Sequence, residues 1–161
     1  MTFAPWNNRQ TDFANYFNPA YLGVLVYSVA KGYNVTNGGM SIALAFPGVA
    51  MALHPDIRNA LPRSIATRFS KWLRDNPELR ADLLSSTLSL VPQVKEAVLT
   101  SLRSNWVSVE NGRLIAAAKA PPILKSDKTF DDDQKAAAFV GKWLAKAGDD
   151  REIYQQIGVR P

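Results

Sequence analysis

The sequence predicts a mainly α-helical domain with one small β-hairpin, and three observations carry that expectation. Apolar residues recur at helical spacing through most of the chain, proline stands at the start of several of these stretches, and Asn111-Gly112 separates two short β-capable arms. The length of 161 residues corresponds to one domain, and a hydrophobic content of 47% against 20% charged residues is enough to bury a core.

Residues 1–17 read as an N-terminal arm. Trp6, with Phe3, Phe13, Tyr16 and Phe17, has little apolar sequence beside it, so these aromatics either dock on a partner or fold back over their own domain. Asn18-Pro19 opens a helix, because asparagine caps with its side-chain oxygen and proline fits the first turn without losing a hydrogen bond. The stretch Ala20 to Ala30 is apolar nearly all round, which places it in the core, and Gly32 or Gly38 is expected to end it. After the turn signal Asn37-Gly38-Gly39, a second apolar stretch is interrupted by Pro47 and is expected to split into two short pieces. His54-Pro55-Asp56 closes this apolar helical part, residues 18–60.

Residues 61–118 carry clearer punctuation. Ile65, Phe69, Trp72 and Leu73 make one helical stripe; Asn76-Pro77-Glu78 caps a second helix through Leu79, Leu83, Leu84 and Leu88; Val91-Pro92 opens a third with Val94, Ala97, Val98 and Leu102 inward. The hairpin at Asn111-Gly112 follows, and helices closed by a two-stranded hairpin have the order of a winged helix-turn-helix, with the third helix as reader and the hairpin as wing. Residues 119–133 read as a linker and 134–161 as C-terminal helices, the last stopping at Gly158. Trp72, Trp106 and Trp143 are expected in the core.

The net charge is +5, and it is unevenly spread: residues 63–119 hold nine Lys/Arg against five Asp/Glu, whereas the flanking segments are close to balance. The basic middle favours an acidic partner, and Arg68, Lys71, Arg74, Lys95, Arg103 and Arg113 are the candidate nucleic-acid contacts. The third helix offers Gln93, Lys95 and Arg103 for base edges but also Glu96, so contact with duplex DNA would run mainly through phosphates.

Catalytic chemistry has little to stand on. The absence of cysteine removes thiol catalysis, disulfides and thiolate metal sites, and the single histidine, His54, stands before a proline as a structural or loop residue. No serine sits in a nucleophile elbow, and no phosphate-binding or dinucleotide fingerprint surrounds the glycines. Asp131-Asp132-Asp133 and Asp149-Asp150 suit helix caps and dipole partners better than a cation site. The expectation is therefore no catalytic residues, no cofactor and no metal. No apolar run approaches the ~20 residues of a membrane span, and the first residues lack a signal-peptide pattern, which predicts a cytoplasmic protein.

In order along the chain, Phe17-Asn18-Pro19-Ala20, Lys31-Gly32-Tyr33, Leu53-His54, Leu61-Pro62, Trp72-Leu73, Asn76-Pro77-Glu78-Leu79, Val91-Pro92 and Glu96-Ala97 form a recognisable series. It continues through Asn111-Gly112-Arg113-Leu114, Gly141-Lys142-Trp143-Leu144 and Gly158-Val159-Arg160-Pro161. This series resembles the small middle component of bacterial three-component ABC-ATPase systems, a family associated with biological conflict and antiphage defence. The resemblance runs from about residue 10 to the end. It implies a non-enzymatic adaptor between an ABC-type, SMC-like or Rad-like ATPase and a third, effector-type protein, with no catalytic residues to transfer. Trp6 and the terminal Gly158, Val159, Arg160 and Pro161 are the candidate partner contacts. The alternative is a DNA-binding winged-helix module using the basic middle third.

Overall fold

The computed structural model describes residues 17–122 and 128–159. Eight α-helices and a three-stranded antiparallel sheet occupy the described residues: α1 (Pro19–Thr36), β1 (Met40–Ser41), α2 (Ala45–Leu53), α3 (Pro55–Asn59), α4 (Phe69–Asp75), α5 (Pro77–Ser89), α6 (Val91–Arg103), β2 (Val107–Glu110), β3 (Arg113–Ala116), α7 (Lys128–Leu144) and α8 (Asp150–Ile157). A short 3-10 turn, Ile42–Leu44, joins β1 to α2.

The centre of the molecule is α1. Asn18 Oδ1 accepts from the Ala20 amide at 2.8 Å, as the sequence predicts for the cap. From Leu22 to Ala30 every residue is buried, because α7, α6, α2 and β3 pack around the helix. Of the two expected ends, Gly32 is passed over: the helix runs through it to Thr36, with Asn37 as cap and Gly38 directly after the cap. Gly32 serves instead as a contact point, since a Cβ there would stand 2.2 Å from the Ala138 carbonyl oxygen of α7. Gly141 on α7 answers it: a Cβ would lie 2.1 Å from the Val29 carbonyl oxygen. Two glycines thus let two helix backbones approach more closely than any side chain allows.

Pro47 falls at the third position of α2, before the helix's internal hydrogen-bond ladder begins, so the 3-10 turn and α2 are the two short pieces expected. Residues 64–68 do not continue the helical stripe that starts at Ile65. The Ser64 hydroxyl takes the Ala66 amide at 3.1 Å, and the Trp143 indole N–H donates to the Thr67 carbonyl at 2.6 Å. That carbonyl is thereby withdrawn from a helical ladder, and α4 begins only at Phe69. Trp72 donates likewise to the Ala60 carbonyl at 2.9 Å, and the Trp72 and Trp143 rings meet edge to face with centroids 5.4 Å apart. Both tryptophans are buried, as expected; Trp106 is half-buried against the core.

Asn76 ends α4 and precedes α5, yet its side chain reaches back to the Trp72 carbonyl rather than capping α5. Leu88 on α5 is exposed, while Thr87 takes the buried position beside it. Helix α6 buries Val94, Ala97, Val98 and Ser101. The hairpin forms at Asn111-Gly112 with φ of 51° and 74°, the doubly left-handed turn that the dipeptide signals. Its second strand also pairs with β1 through Met40 and Leu114, giving the order β1-β3-β2. The third strand, two residues long, left no periodic trace in the sequence.

Helix α7 starts at Lys128, within the stretch read as linker, so Asp131-Asp132-Asp133 belongs to the helix itself rather than to a cap before it. Asp149 makes a capping box with Glu152 at the start of α8, and Gly158 ends that helix with φ 103°.

Candidate interaction surfaces

The six candidate cations fall on three separate elements. On α4, which packs against α5 and α8, Lys71 pairs with Asp75 four residues on, and Arg74 Nε lies 3.8 Å from the same carboxylate; Arg68 precedes the helix and is exposed. Hydrogen bonding from Lys71 draws the Asp75 carboxyl below its ordinary pKa, with the Lys71 and Arg74 charges acting in the same direction. Part of the α4 positive charge is therefore already answered within the helix.

On α6, Lys95 and Arg103 are exposed, and neither belongs to an ion pair among the described residues. Leu99, midway between them, is 53% exposed. The third location is the hairpin, where Arg113 Nη1 donates to the Gly39 carbonyl at 3.3 Å. Arg113 also lies in the field of Asp150, whose carboxyl is lowered first by the Ser41 hydroxyl donating at 2.7 Å and also by the Arg151 amide and the Arg113 charge. Arg113 is thus tied to the junction between the sheet and α8.

At the C-terminus, the Gly158 and Val159 amides both donate to the Tyr154 carbonyl at 3.0 Å, and Val159 packs on the core. Gly158 faces α5, where a Cβ would meet Arg80 at 3.5 Å and Leu84 at 3.9 Å. Tyr154 itself donates to the Ala43 carbonyl, and burial, reinforced by the Asp150 charge, pushes its phenol up to about 12. The other candidate partner contacts, Trp6, Arg160 and Pro161, lie outside the described residues.

Sequence reasoning missed a buried charged group. Asp133 is 3% exposed and receives both the Arg58 guanidinium and the Tyr21 hydroxyl, joining α7, α3 and α1. The only signal available was that the last of three aspartates falls on the same helical face as Ala136, Ala137 and Val140. Its neighbours Asp131 and Asp132 are exposed, and among the described residues no three His, Cys, Asp or Glu side chains are grouped to hold a metal ion. His54 is half-buried between α2 and α3, with Nδ1 enclosed and without a hydrogen-bond partner. A cleft of about 330 Å³ between α1 and α7 is lined by Tyr27, Lys31, Gln134 and Lys135; the Tyr27 hydroxyl there donates to the Ala117 carbonyl and accepts from Lys31 Nζ at 2.9 Å. No helix among the described residues is long and apolar enough to cross a membrane.

A central apolar helix, a small sheet and three outward cationic elements define a mainly helical protein that presents side chains around a rigid interior. Residues 6–161 match the family model described as ABC-three component (ABC-3C) system Middle Component 3, and the chain belongs to that family. It is thus a component of a multi-component ABC system. No curated protein and no solved structure matches the chain.

Proposed function

We propose that the protein is a non-enzymatic adaptor that links an ABC-type, SMC-like ATPase to a third, effector-type component in a prokaryotic defence system. The observation that carries this reading is the extent of the family match: residues 6–161, nearly the whole chain, correspond to one component of a system with several. The exposed apolar side chains Leu88 and Leu99 support it, since leucines at 55% and 53% exposure on adjacent helices are surface available to protein contacts. The adaptor acts by contacts whose strength differs between ATPase states, so that nucleotide turnover is passed on as a change of affinity.

A pull-down of the tagged chain from cells expressing its native neighbouring genes, at low and high salt, tests the reading. Recovery of a large ATPase that persists in high salt supports it. Recovery of the chain without an ATPase overturns it. A second reading, binding of duplex DNA through a winged-helix-like arrangement, is favoured by the exposed Lys95 and Arg103 on the third helix of the 61–118 segment and by Arg113 at the hairpin. Its signature is retention of DNA that falls steeply with salt, because phosphate contacts release counterions.

A further inference from the structure

Helix α6 is two-sided. Val94, Ala97, Val98 and Ser101 face α1 and the core, whereas Lys95, Leu99 and Arg103 are exposed at intervals of four. At a rise of ~1.5 Å per residue this is one row about 12 Å long, with an apolar side chain at its middle and a cation at each end. Arg103 stands in the last turn, where a cation suits the helix dipole, but Lys95 lies just inside the opposite end and gains nothing from it. Neither cation has an acidic partner among the described residues, and Leu99 leaves more than half its surface in water.

We propose that this row docks an acidic amphipathic helix of a partner protein, one that carries an apolar residue flanked by carboxylates about two turns apart. The proposal rests on the adaptor reading and places one of its contacts. Charge complementarity selects the occupant: two unpaired cations seek carboxylates or phosphates, and the leucine between them decides which. Against a sugar-phosphate backbone the exposed Leu99 would bury little apolar surface. A helix supplies discrete carboxylates for the two cations together with an apolar side chain to cover Leu99. The central apolar contact and its charged rim have the anatomy of a protein interface.

The test uses the full chain co-expressed with the proteins encoded beside it. Leu99→Ser and the double variant Lys95→Glu/Arg103→Glu are compared with wild type and with Val35→Ser, which alters a still more exposed valine at the far end of α1. Both α6 variants should weaken the complex by about ten-fold or more, with Val35→Ser unchanged and the melting temperature of the isolated Leu99→Ser chain unmoved. If wild type forms no complex, the adaptor reading itself fails. If wild type forms one and both α6 variants retain it, the docking row alone is wrong. Loss of duplex DNA binding in the charge-reversed variant, with an intact protein complex, assigns the row to nucleic acid and overturns the proposal. A dimer of the isolated chain that Leu99→Ser converts to monomer makes a second copy the occupant, and a fall in the melting temperature of Leu99→Ser makes it the chain's own residues; either result also overturns it.

Discussion

Helices α1 and α6 lie against each other and are built for opposite ends. Along α1, nine consecutive residues from Leu22 to Ala30 are buried, so no face of the helix is left for a partner over that stretch. Along α6, the apolar positions repeat at three and four residues and the opposite face carries Lys95, Leu99 and Arg103. The hydroxyl of Ser101 on α6 donates to the Gly23 carbonyl on α1 at 3.0 Å, so the outward row is mounted directly on the buried centre. A surface meant to transmit the state of one protein to another benefits from such a mount, because little of the contact energy is spent on deforming the module that bears it.

The difference is sharpest where α1 meets α7. Gly141→Val places side-chain atoms where the Val29 carbonyl already stands, and should cost more than about 3 kcal/mol of unfolding free energy, read from urea denaturation, or prevent folding. Asp133→Ala is next. It leaves the Arg58 guanidinium without its carboxylate and the Tyr21 hydroxyl without that acceptor, and because Arg58 keeps 21% of its side chain in water the loss should fall near the low end for a broken buried pair, about 3 kcal/mol. A loss of under about 1 kcal/mol for either would mean that the interior is more yielding than its packing implies.

The periphery should respond more mildly. Asp149→Ala removes the capping box of α8 and should cost about 1 kcal/mol, measured in the same denaturation series. A last effect is confined to alkaline pH. Since the Tyr154 phenol is raised from 10.0 to about 12, the folded state holds that proton more tightly than the unfolded chain does. Its contribution is therefore complete below pH 10 and is lost as pH rises from 10 through about 12. Tyr154→Phe should flatten stability across that window; an unchanged slope would show that the phenol is not what titrates.

The same contrast explains what was legible in the sequence. Local rules of capping and periodicity suffice for α1, α5, α6, α8 and the hairpin, because Asn18, Pro77, Pro92, Asn111-Gly112 and Asp149 act on residues within a turn of themselves. The late start of α4 was hidden because the group that ends the helical ladder, the Trp143 indole, comes from 76 positions away. The pairing of β1 with β3 and the burial of Asp133 by Arg58 and Tyr21 were hidden for the same reason. Gly32 was misread as a helix end because spacing reports a missing side chain but not the neighbouring backbone that requires it to be missing. Of the candidate surface, the charges were visible, whereas the exposed Leu99 was not distinguishable from its buried neighbours by type.

The all-round burial of α1 gives the protein an internal clock. Amides from Leu25 to Val29 are covered on every side, so their hydrogens exchange with deuterium only when the whole domain opens, at a rate that reports global stability. Amides near the ends of α8 and in the 3-10 turn exchange through smaller openings. A partner that binds only the folded chain raises global stability and so slows the central amides too; the outer amides whose smaller openings it also closes would locate the bound surface without any substitution in the chain.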